Sequence, residues 1–150
     1  MGQSLVNNYI HIIFSTKHRL PLIQPAIEKE LHTYIAEICN NRDTKVVRIG
    51  GYTNHIHILC LLSKNIPLAK LMKELKTLSS IWMKSKGEGL ENFYWQDGYG
   101  AFSVSQEDVA TISNYIENQH EHHSTNTFEE EYRTYLQKYS VEYNEKYVWD

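Results

Sequence analysis

The sequence predicts an α+β protein with a four-stranded antiparallel sheet in the order β-α-β-β-α-β. Helices cover one face of this sheet, and two further helices follow. Three observations support this prediction. Short apolar, β-branched runs alternate with longer segments of helical periodicity. The second and third short runs are separated only by turn-forming residues, as in a hairpin. The length of 150 residues, 41% of them hydrophobic, suits a single domain over residues 1–150.

The first half of the chain carries one helix among three strands. YIHIIFST, residues 9–16, is apolar and β-branched, as strands are. After Pro25, which suits a first helical turn, apolar side chains recur at helical spacing until CNNRD ends the helix. TKVVRIGG and HIHILCLL, residues 44–51 and 55–62, are then the two strands of the hairpin.

A long helix and the fourth strand follow. Asn65 and Pro67 open the helix, apolar residues continue at helical spacing to Trp82, and KGEGL ends it. YWQDGYGAFSVS, residues 94–105, is typical of a loop that leads into a strand.

Two capping boxes predict the C-terminal helices. In SQED, residues 105–108, a hydroxyl precedes an acid by three positions, so we expect a helix through about His123. TFEE, residues 127–130, has the same pattern and predicts a helix through about Tyr139. The remaining residues are expected to pack as an extended tail.

Composition argues against several classes of protein. No apolar run reaches the roughly 18 residues that span a bilayer, and no signal-peptide pattern is present, so we expect a cytoplasmic protein without a membrane partner. Cys39 and Cys60 lie in apolar segments and suit a reduced core. The net charge is −3, but residues 1–106 carry +4 and residues 107–150 carry −7. Such a basic body can still bind a phosphate chain on one face.

Two histidines interrupt the third strand. Side chains alternate along a strand, so His55 and His57 point to the same face, and Leu59 and Leu61 continue that row. Buried imidazoles need partners, and two ring nitrogens on one face can converge on a metal ion. The alternative is a pair of half-exposed histidines at a strand end, bonded to carbonyl groups or water.

The segment YIENQHEHH, residues 115–123, presents a second group of polar side chains. On a helix Tyr115 and Gln119 share a face, and His122 and His123 continue it one turn later. A phenol oxygen can attack phosphorus, and a glutamine carbonyl can complete a metal site opened by two histidines. His120, His122 and His123 are candidates for phosphate contact or for support of the metal, but none of them is expected to be a ligand. The alternative is a solvent-facing helix with a partly packed tyrosine.

Basic residues form two groups that could contact DNA. Lys70, Lys73 and Lys76 repeat every three residues on the long helix, a spacing that could follow a phosphate backbone. Lys17 and Arg19 form a smaller cluster after the first strand. The alternative for the helix is an ordinary solvated face.

These motifs in this order resemble one family. The strand with two histidines is followed by WQDGYGAFSVS and then by a helix with Y-x-x-x-Q and HH. HIIFSTKHR and FEEEYRTYLQKYSVEYNEKYVWD extend the likeness over nearly the whole chain. The chain is similar to the HUH-type single-tyrosine transposases of bacterial insertion sequences, which include the REP-associated tyrosine transposases.

The resemblance implies a fold and a set of site residues. The sheet would be the ferredoxin-like HUH palm, with additional C-terminal helices. His55 and His57 would hold a divalent ion, Mg²⁺ or Mn²⁺, with Gln119 as the third protein ligand. Tyr115 would be the nucleophile. The protein would be a homodimer in which the tyrosine helix of one subunit can serve the histidine pair of the other.

The resemblance also implies the reaction. The enzyme would nick single-stranded DNA at hairpin-bearing ends, form a 5′-phosphotyrosine and a free 3′-hydroxyl, and transfer the strand to another 3′-hydroxyl. No small-molecule substrate is expected. One alternative is a domesticated nuclease that processes genomic repeats. Others are a non-enzymatic dimer that binds DNA hairpins, and a small metal-binding protein that binds no nucleic acid.

Overall fold

The computed structural model describes residues 2–150 and confirms the predicted order of elements. The strands are β1 (Tyr9–Ser15), β2 (Lys45–Tyr52), β3 (His55–Leu61) and β4 (Gly100–Val104). The helices are α1 (Pro25–Asn40), α2 (Leu68–Lys84), α3 (Val109–Glu117), α4 (Gln119–His122) and α5 (Phe128–Lys138). Within residues 2–150 no helix combines the length and apolar character needed to cross a bilayer.

The four strands form one antiparallel sheet in the order β2-β3-β1-β4. Strands β1 and β3 are therefore central, as the ferredoxin-like prediction requires. Their register places Ile13 opposite His57 and Ser15 opposite His55. The histidine pair therefore lies on a central strand, at the end where β3 begins and β1 finishes.

The two helices of the βαββαβ unit cover one face of the sheet, as predicted, and the C-terminal helices cover the other. Ile56 and Ile58 of β3 point into a core filled by side chains of α1 and α2. Leu59 points the other way and packs with Ile112 and Ile116 of α3. The short C-terminal helices thus form a third layer, and this layer encloses the face that carries the histidines.

The two cysteines lie in the core shared with α1 and α2. Cys39 and Cys60 are fully buried and are not bridged. Burial raises the pKa of the Cys60 thiol to about 12, and Cys39 adds to this rise. Both thiols are therefore packing groups, as their apolar surroundings in the sequence predicted.

The single helix predicted to run through His123 is broken. A 3-10 turn, Gln106–Asp108, precedes α3, and Asn118 separates α3 from α4 with φ −95° and ψ 21°. The Ser105 hydroxyl donates a hydrogen bond to the Asp108 carboxylate at 3.1 Å. The Ser105 side chain accepts no hydrogen bond from a backbone N–H of the turn. The break turns the chain before Gln119, so that this residue begins a new helix.

The second capping box is confirmed. The hydroxyl oxygen of Thr127 accepts a hydrogen bond from the backbone N–H of Glu130 at 3.1 Å, and α5 starts at the next residue, Phe128. The cap fixes where α5 begins and therefore which side chains of α5 face the sheet.

The tail does not form a regular extended segment. Residues 141–144 have no regular secondary structure, and residues 145–149 form turns, with Val148 N–H donating to the Asn144 carbonyl at 2.9 Å. The Trp149 ring packs 5.9 Å from the Tyr132 ring, and the Arg133 guanidinium lies 4.9 Å from it. This arrangement anchors the outer side of α5.

Gly50 on β2 permits α3 to approach the sheet closely. A Cβ atom at this position would lie 2.4 Å from the backbone oxygen of Ile116. No side chain fits in that space, so glycine is required for α3 to lie where it places Tyr115.

Candidate active site

The histidine pair on β3 is fully buried. His55 and His57 both have no exposed surface, which excludes the alternative of half-exposed residues at a strand end. Their Nε2 atoms lie 3.4 Å and 2.9 Å from the same atom, Oε1 of Glu131. The two imidazoles therefore converge, as the alternation of side chains along β3 predicted.

Glu131 of α5 lies at the centre of the cluster, and the sequence reasoning missed it. Its side chain is almost fully buried. Oε1 also lies 3.1 Å from His123 Nε2, and Oε2 accepts hydrogen bonds from Gln119 Nε2 at 3.0 Å and from the Tyr115 hydroxyl. One carboxylate thus contacts histidines on one side and the phenol on the other.

A signal for Glu131 was present in the sequence. Phe128, Tyr132 and Tyr135 form the apolar stripe of α5, and all three are buried. Glu131 is three residues after Phe128 and four before Tyr135, so it falls on the same stripe. A charged residue on an apolar stripe needs a buried partner.

Tyr115 lies before the helix break and Gln119 lies after it, and both side chains contact the histidine cluster. Gln119 is buried, and its Oε1 lies 2.9 Å from His55 Nε2. The Tyr115 ring lies 5.9 Å from the His57 ring, and its hydroxyl is 3.5 Å from His122 Nε2. Tyr115, Gln119 and the two strand histidines therefore meet within one subunit.

Two residues behind the pair orient its rings. His11 on β1 is buried, and its Nε2 lies 2.8 Å from His57 Nδ1. The Asn54 Oδ1 atom lies 2.8 Å from His55 Nδ1. Both Nδ1 atoms are thereby engaged, so the Nε2 atoms face the interior of the cluster, as in histidine ligands held by a second partner.

Burial sets the protonation of the cluster. Burial lowers the pKa of His55 well below its usual value, and His57 nearby lowers it further, so the His55 ring is neutral. Burial would raise the pKa of Glu131, but His57, His55 and the hydrogen bond with His123 hold it far below its usual range. Burial and the Glu131 charge raise the pKa of Tyr115. A neutral phenol therefore donates to an ionised carboxylate.

Two cavities border the cluster. One of about 410 Å³ lies between α3 and α5, with Tyr115, Tyr135 and Lys138 in its wall. The other, of about 460 Å³, lies beyond the end of β1, with Arg19 and His123 in its wall. Asn126 lines both cavities, so a ligand could reach the cluster from either of them.

The basic residues lie in different parts of the molecule. Lys70 and Lys73 are exposed on α2, which the sheet separates from the histidine cluster. Lys76 donates to the carbonyl groups of residues 96–98 at 2.6 to 3.1 Å. Arg19 borders a cavity beside the cluster, 3.8 Å from a carboxylate oxygen of Glu129.

The other predicted DNA-binding residues, Lys17, His122 and His123, differ in their exposure. Lys17 lies 3.5 Å from Asp97, at the surface. The His122 side chain is 30% exposed beside Tyr115, whereas the His123 side chain is 3% exposed within the cluster. His122 is therefore open to an incoming ligand, and His123 belongs to the buried set of side chains.

The sequence matches the family described as Transposase IS200 like over residues 4–119. The chain belongs to this IS200-like transposase family. The resemblance noted in the sequence is thereby confirmed. Transposases cut DNA and transfer its strands. Because it belongs to this family, the IS200-like transposase is an enzyme that acts on DNA.

Two solved structures share the fold of this IS200-like transposase. One, described as a transposase from Deinococcus radiodurans R1, has a TM-score of 0.61 at 24% identity and covers 79% of this chain and 96% of its own. The other is a REP-associated tyrosine transposase bound to a REP hairpin, with a TM-score of 0.61 at 13% identity, covering 82% of this chain and 73% of its own. No curated protein matches the chain significantly.

Proposed function

We propose that this IS200-like transposase nicks single-stranded DNA at hairpin-bearing ends and transfers the strand through a covalent 5′-phosphotyrosine at Tyr115. One observation carries the proposal. The Tyr115 hydroxyl and the Nε2 atoms of His55 and His57 contact the same carboxylate, that of Glu131. A nucleophile and a candidate cation site are thus separated by a single side-chain group.

The residues present fit a divalent cation. His55 and His57 would hold it through Nε2, and Gln119 Oε1, 2.9 Å from His55 Nε2, would be the predicted third ligand. Mg²⁺ or Mn²⁺ bound there would supply positive charge to a non-bridging oxygen of the scissile phosphate. The His55 ring is neutral, so its buried Nε2 atom can present a lone pair to an ion at this position.

The chain's own residues then perform the displacement. The Tyr115 oxygen attacks phosphorus, its proton is lost to solvent, and the bond from phosphorus to the 3′ oxygen breaks. The 3′ oxygen takes a proton from water and leaves as a hydroxyl, and the 5′ phosphate stays on Tyr115. A second 3′-hydroxyl can attack this ester, restore the phenol and rejoin the strands without a nucleotide cofactor.

Three features support a single strand with a hairpin as the substrate. The cavities beside Tyr115 and beside Arg19 border the cluster and could admit one strand on both sides of the scissile bond. The aromatic wall of the first cavity suits base stacking. The structural neighbour of the same fold was solved with a REP hairpin. We further propose that the enzyme acts in the cytoplasm as a homodimer whose subunits each carry a full set of site residues.

A denaturing-gel assay tests the proposal. Labelled single strands with hairpins from the DNA flanking the gene are incubated with the protein and Mn²⁺, and a covalent protein–DNA adduct is expected. Tyr115→Phe should abolish the adduct but keep the affinity for the hairpin, since the substitution removes one hydroxyl. Tyr147→Phe is the matched control, because Tyr147 is 57% exposed and outside the cluster.

The outcomes separate the alternatives. An adduct that survives in Tyr115→Phe would overturn the assignment of the nucleophile. Hairpin binding without an adduct in the wild-type protein, whatever the divalent ion, would favour a non-enzymatic binding module. An adduct confined to genomic repeats, with no joined product, would favour a domesticated nuclease.

A further inference from the structure

We infer that Glu131 and His123 join His55 and His57 as ligands of the cation, so that three imidazoles and one carboxylate hold it, and that Gln119, whose amide N–H donates to Glu131 Oε2, positions this carboxylate in place of binding the ion. This inference rests on the proposed function and deepens it, because neither residue was among the ligands expected from the sequence. The same carboxylate would connect the cation to the nucleophile, since its second oxygen accepts the hydrogen bond of Tyr115.

The donor atoms of the four side chains lie close together. One donor atom each from His55, His57, His123 and Glu131 lies within 4.8 Å of all the others. Oε1 of Glu131 is 3.4, 2.9 and 3.1 Å from the three Nε2 atoms. Ligands of a tetrahedral ion with bonds of about 2.0–2.1 Å lie roughly 3.3–3.4 Å apart. The three distances from Oε1 to the Nε2 atoms are therefore already near the spacing that an ion would impose.

Hydrogen bonds to the Nδ1 atoms determine where two of the rings carry their proton. His123 Nδ1 lies 2.8 Å from the carbonyl oxygen of Asn126, which can only accept, so Nδ1 carries the proton. The Asn54 amide donates through Nδ2 to the Arg19 carbonyl, which directs its oxygen to His55 Nδ1. When the rings of His55 and His123 are neutral, their Nε2 atoms therefore present lone pairs to Glu131 Oε1. Electron pairs that converge in this way suit a cation at their centre.

The two oxygens of the Glu131 carboxylate have different partners. The Gln119 amide N–H donates to Oε2 at 3.0 Å, and the Tyr115 hydroxyl donates to the same atom. Oε1 makes no contact with an amide or hydroxyl donor and faces only imidazoles. The two oxygens therefore have separate roles: Oε2 is anchored by donors, and Oε1 is directed at the candidate ion position.

The donor set indicates which ions bind. Imidazole ligands suit ions such as Co²⁺ and Zn²⁺, and Mn²⁺ accepts nitrogen ligands more readily than Mg²⁺, which prefers oxygen ligands and water. Three imidazoles with one carboxylate therefore favour the transition ions. Of the two ions expected from the sequence, Mn²⁺ is the better fit.

Cobalt titration of the full-length, metal-free protein tests the inference. Co²⁺ bound to imidazoles in a four-coordinate site absorbs visible light, so binding is read without any DNA. We expect Glu131→Gln and His123→Asn each to weaken Co²⁺ binding by about tenfold or more and to change the absorption spectrum. Glu130→Gln is the matched control, because Glu130 is the exposed neighbour of Glu131 on the same helix, and it should bind as the wild-type protein does.

Two further measurements keep the result decisive. Circular dichroism shows whether each variant is folded, and His123→Asn alone suffices if Glu131→Gln does not fold. Wild-type affinity and an unchanged spectrum in the folded variants would overturn the inference. Adduct formation by the wild-type protein, measured in parallel, separates the two proposals. If the adduct forms but the variants bind Co²⁺ unaltered, only the added ligands are rejected. If the variants bind Co²⁺ differently but no adduct forms, only the DNA reaction is rejected.

Discussion

The Tyr115 hydroxyl donates a hydrogen bond to the Glu131 carboxylate, the group that also lies 2.9 Å from His57 Nε2. Three elements of one subunit meet in this relationship, since Tyr115 lies on α3, Glu131 on α5 and His57 on β3. The phenol is held neutral because both burial and the carboxylate charge raise its pKa. The reaction of the Tyr115 phenol with phosphorus therefore depends on the cation and the DNA strand that would bind beside these three side chains.

The arrangement within one subunit predicts that the nucleophile acts in cis. We expect Tyr115→Phe and His57→Ala to be inactive separately and to remain inactive when they are mixed. The reason is that neither variant carries both Tyr115 and His57 in the same chain. Adduct formation on denaturing gels measures the outcome after prolonged co-incubation. Recovery of the adduct in the mixture would show instead that helices are exchanged between subunits.

Gly50 should be sensitive to a single methyl group. Gly50→Ala places a Cβ 2.4 Å from the Ile116 backbone oxygen, so α3 must shift away from β2. We expect the free energy of unfolding to fall by about 1–3 kcal/mol and adduct formation to decrease, because α3 carries Tyr115. Urea unfolding measures the first effect. Gly98→Ala is the control, since its Cβ would lie 3.3 Å from the Asp150 oxygen, and equal losses in both variants would contradict the argument.

The metal-free protein should lose stability below about pH 6.5. Burial, and then the proximity of His57, lower the pKa of His11 well below the value near 6.5 of an unfolded chain. Glu131 opposes this shift and Lys138 reinforces it. Between the folded and unfolded pKa values only the unfolded chain binds the proton. The free energy of unfolding therefore falls with falling pH, by up to about 1.4 kcal/mol per pH unit for one such ring.

Urea unfolding at pH 7.5 and 5.5, with a chelator present, measures this dependence. His11→Gln should make it shallower, because one of the buried neutral rings is removed. The control is His18→Gln, since His18 is exposed. The prediction is wrong if His11→Gln and the wild-type protein lose the same free energy over this range.

The ion should determine activity in a defined order. If three imidazoles and Glu131 bind it, adduct formation should reach half its maximum at roughly tenfold lower concentration of Mn²⁺ than of Mg²⁺. Titration of each ion against a fixed hairpin substrate gives both values. Half-maximal activity at equal concentrations, or at lower Mg²⁺, would contradict this expectation.

The basic residues should contribute unequally to DNA affinity. Arg19→Gln should weaken binding to the hairpin strand and reduce its salt dependence by about one phosphate contact, because Arg19 borders the cavity beside the cluster. Lys70→Gln should have a smaller effect, because α2 lies across the sheet from the site. Fluorescence anisotropy over a range of salt concentrations measures both variants. Equal losses would show that DNA also contacts α2.

Much of the architecture was determined by local patterns in the sequence. Period-two and period-3.6 hydrophobicity predicted the βαββαβ order, because both periods report which side of an element is buried. Alternation along β3 predicted that His55 and His57 share a face. The cap at Thr127 marked the start of α5, because a hydroxyl that accepts a backbone N–H is a local interaction.

Only the tertiary structure decided what covers that face. The burial of His55 and His57 depends on α3, α4 and α5, and no periodicity specifies which side of a sheet a later helix will occupy. The break at Asn118 likewise follows from fitting the chain over the sheet. Glu131 lies 74 positions after His57 in the sequence, and a contact over that distance is made by packing and not by a local pattern. The sequence determined the individual elements and the side chains they present, and long-range packing determined which of those side chains meet.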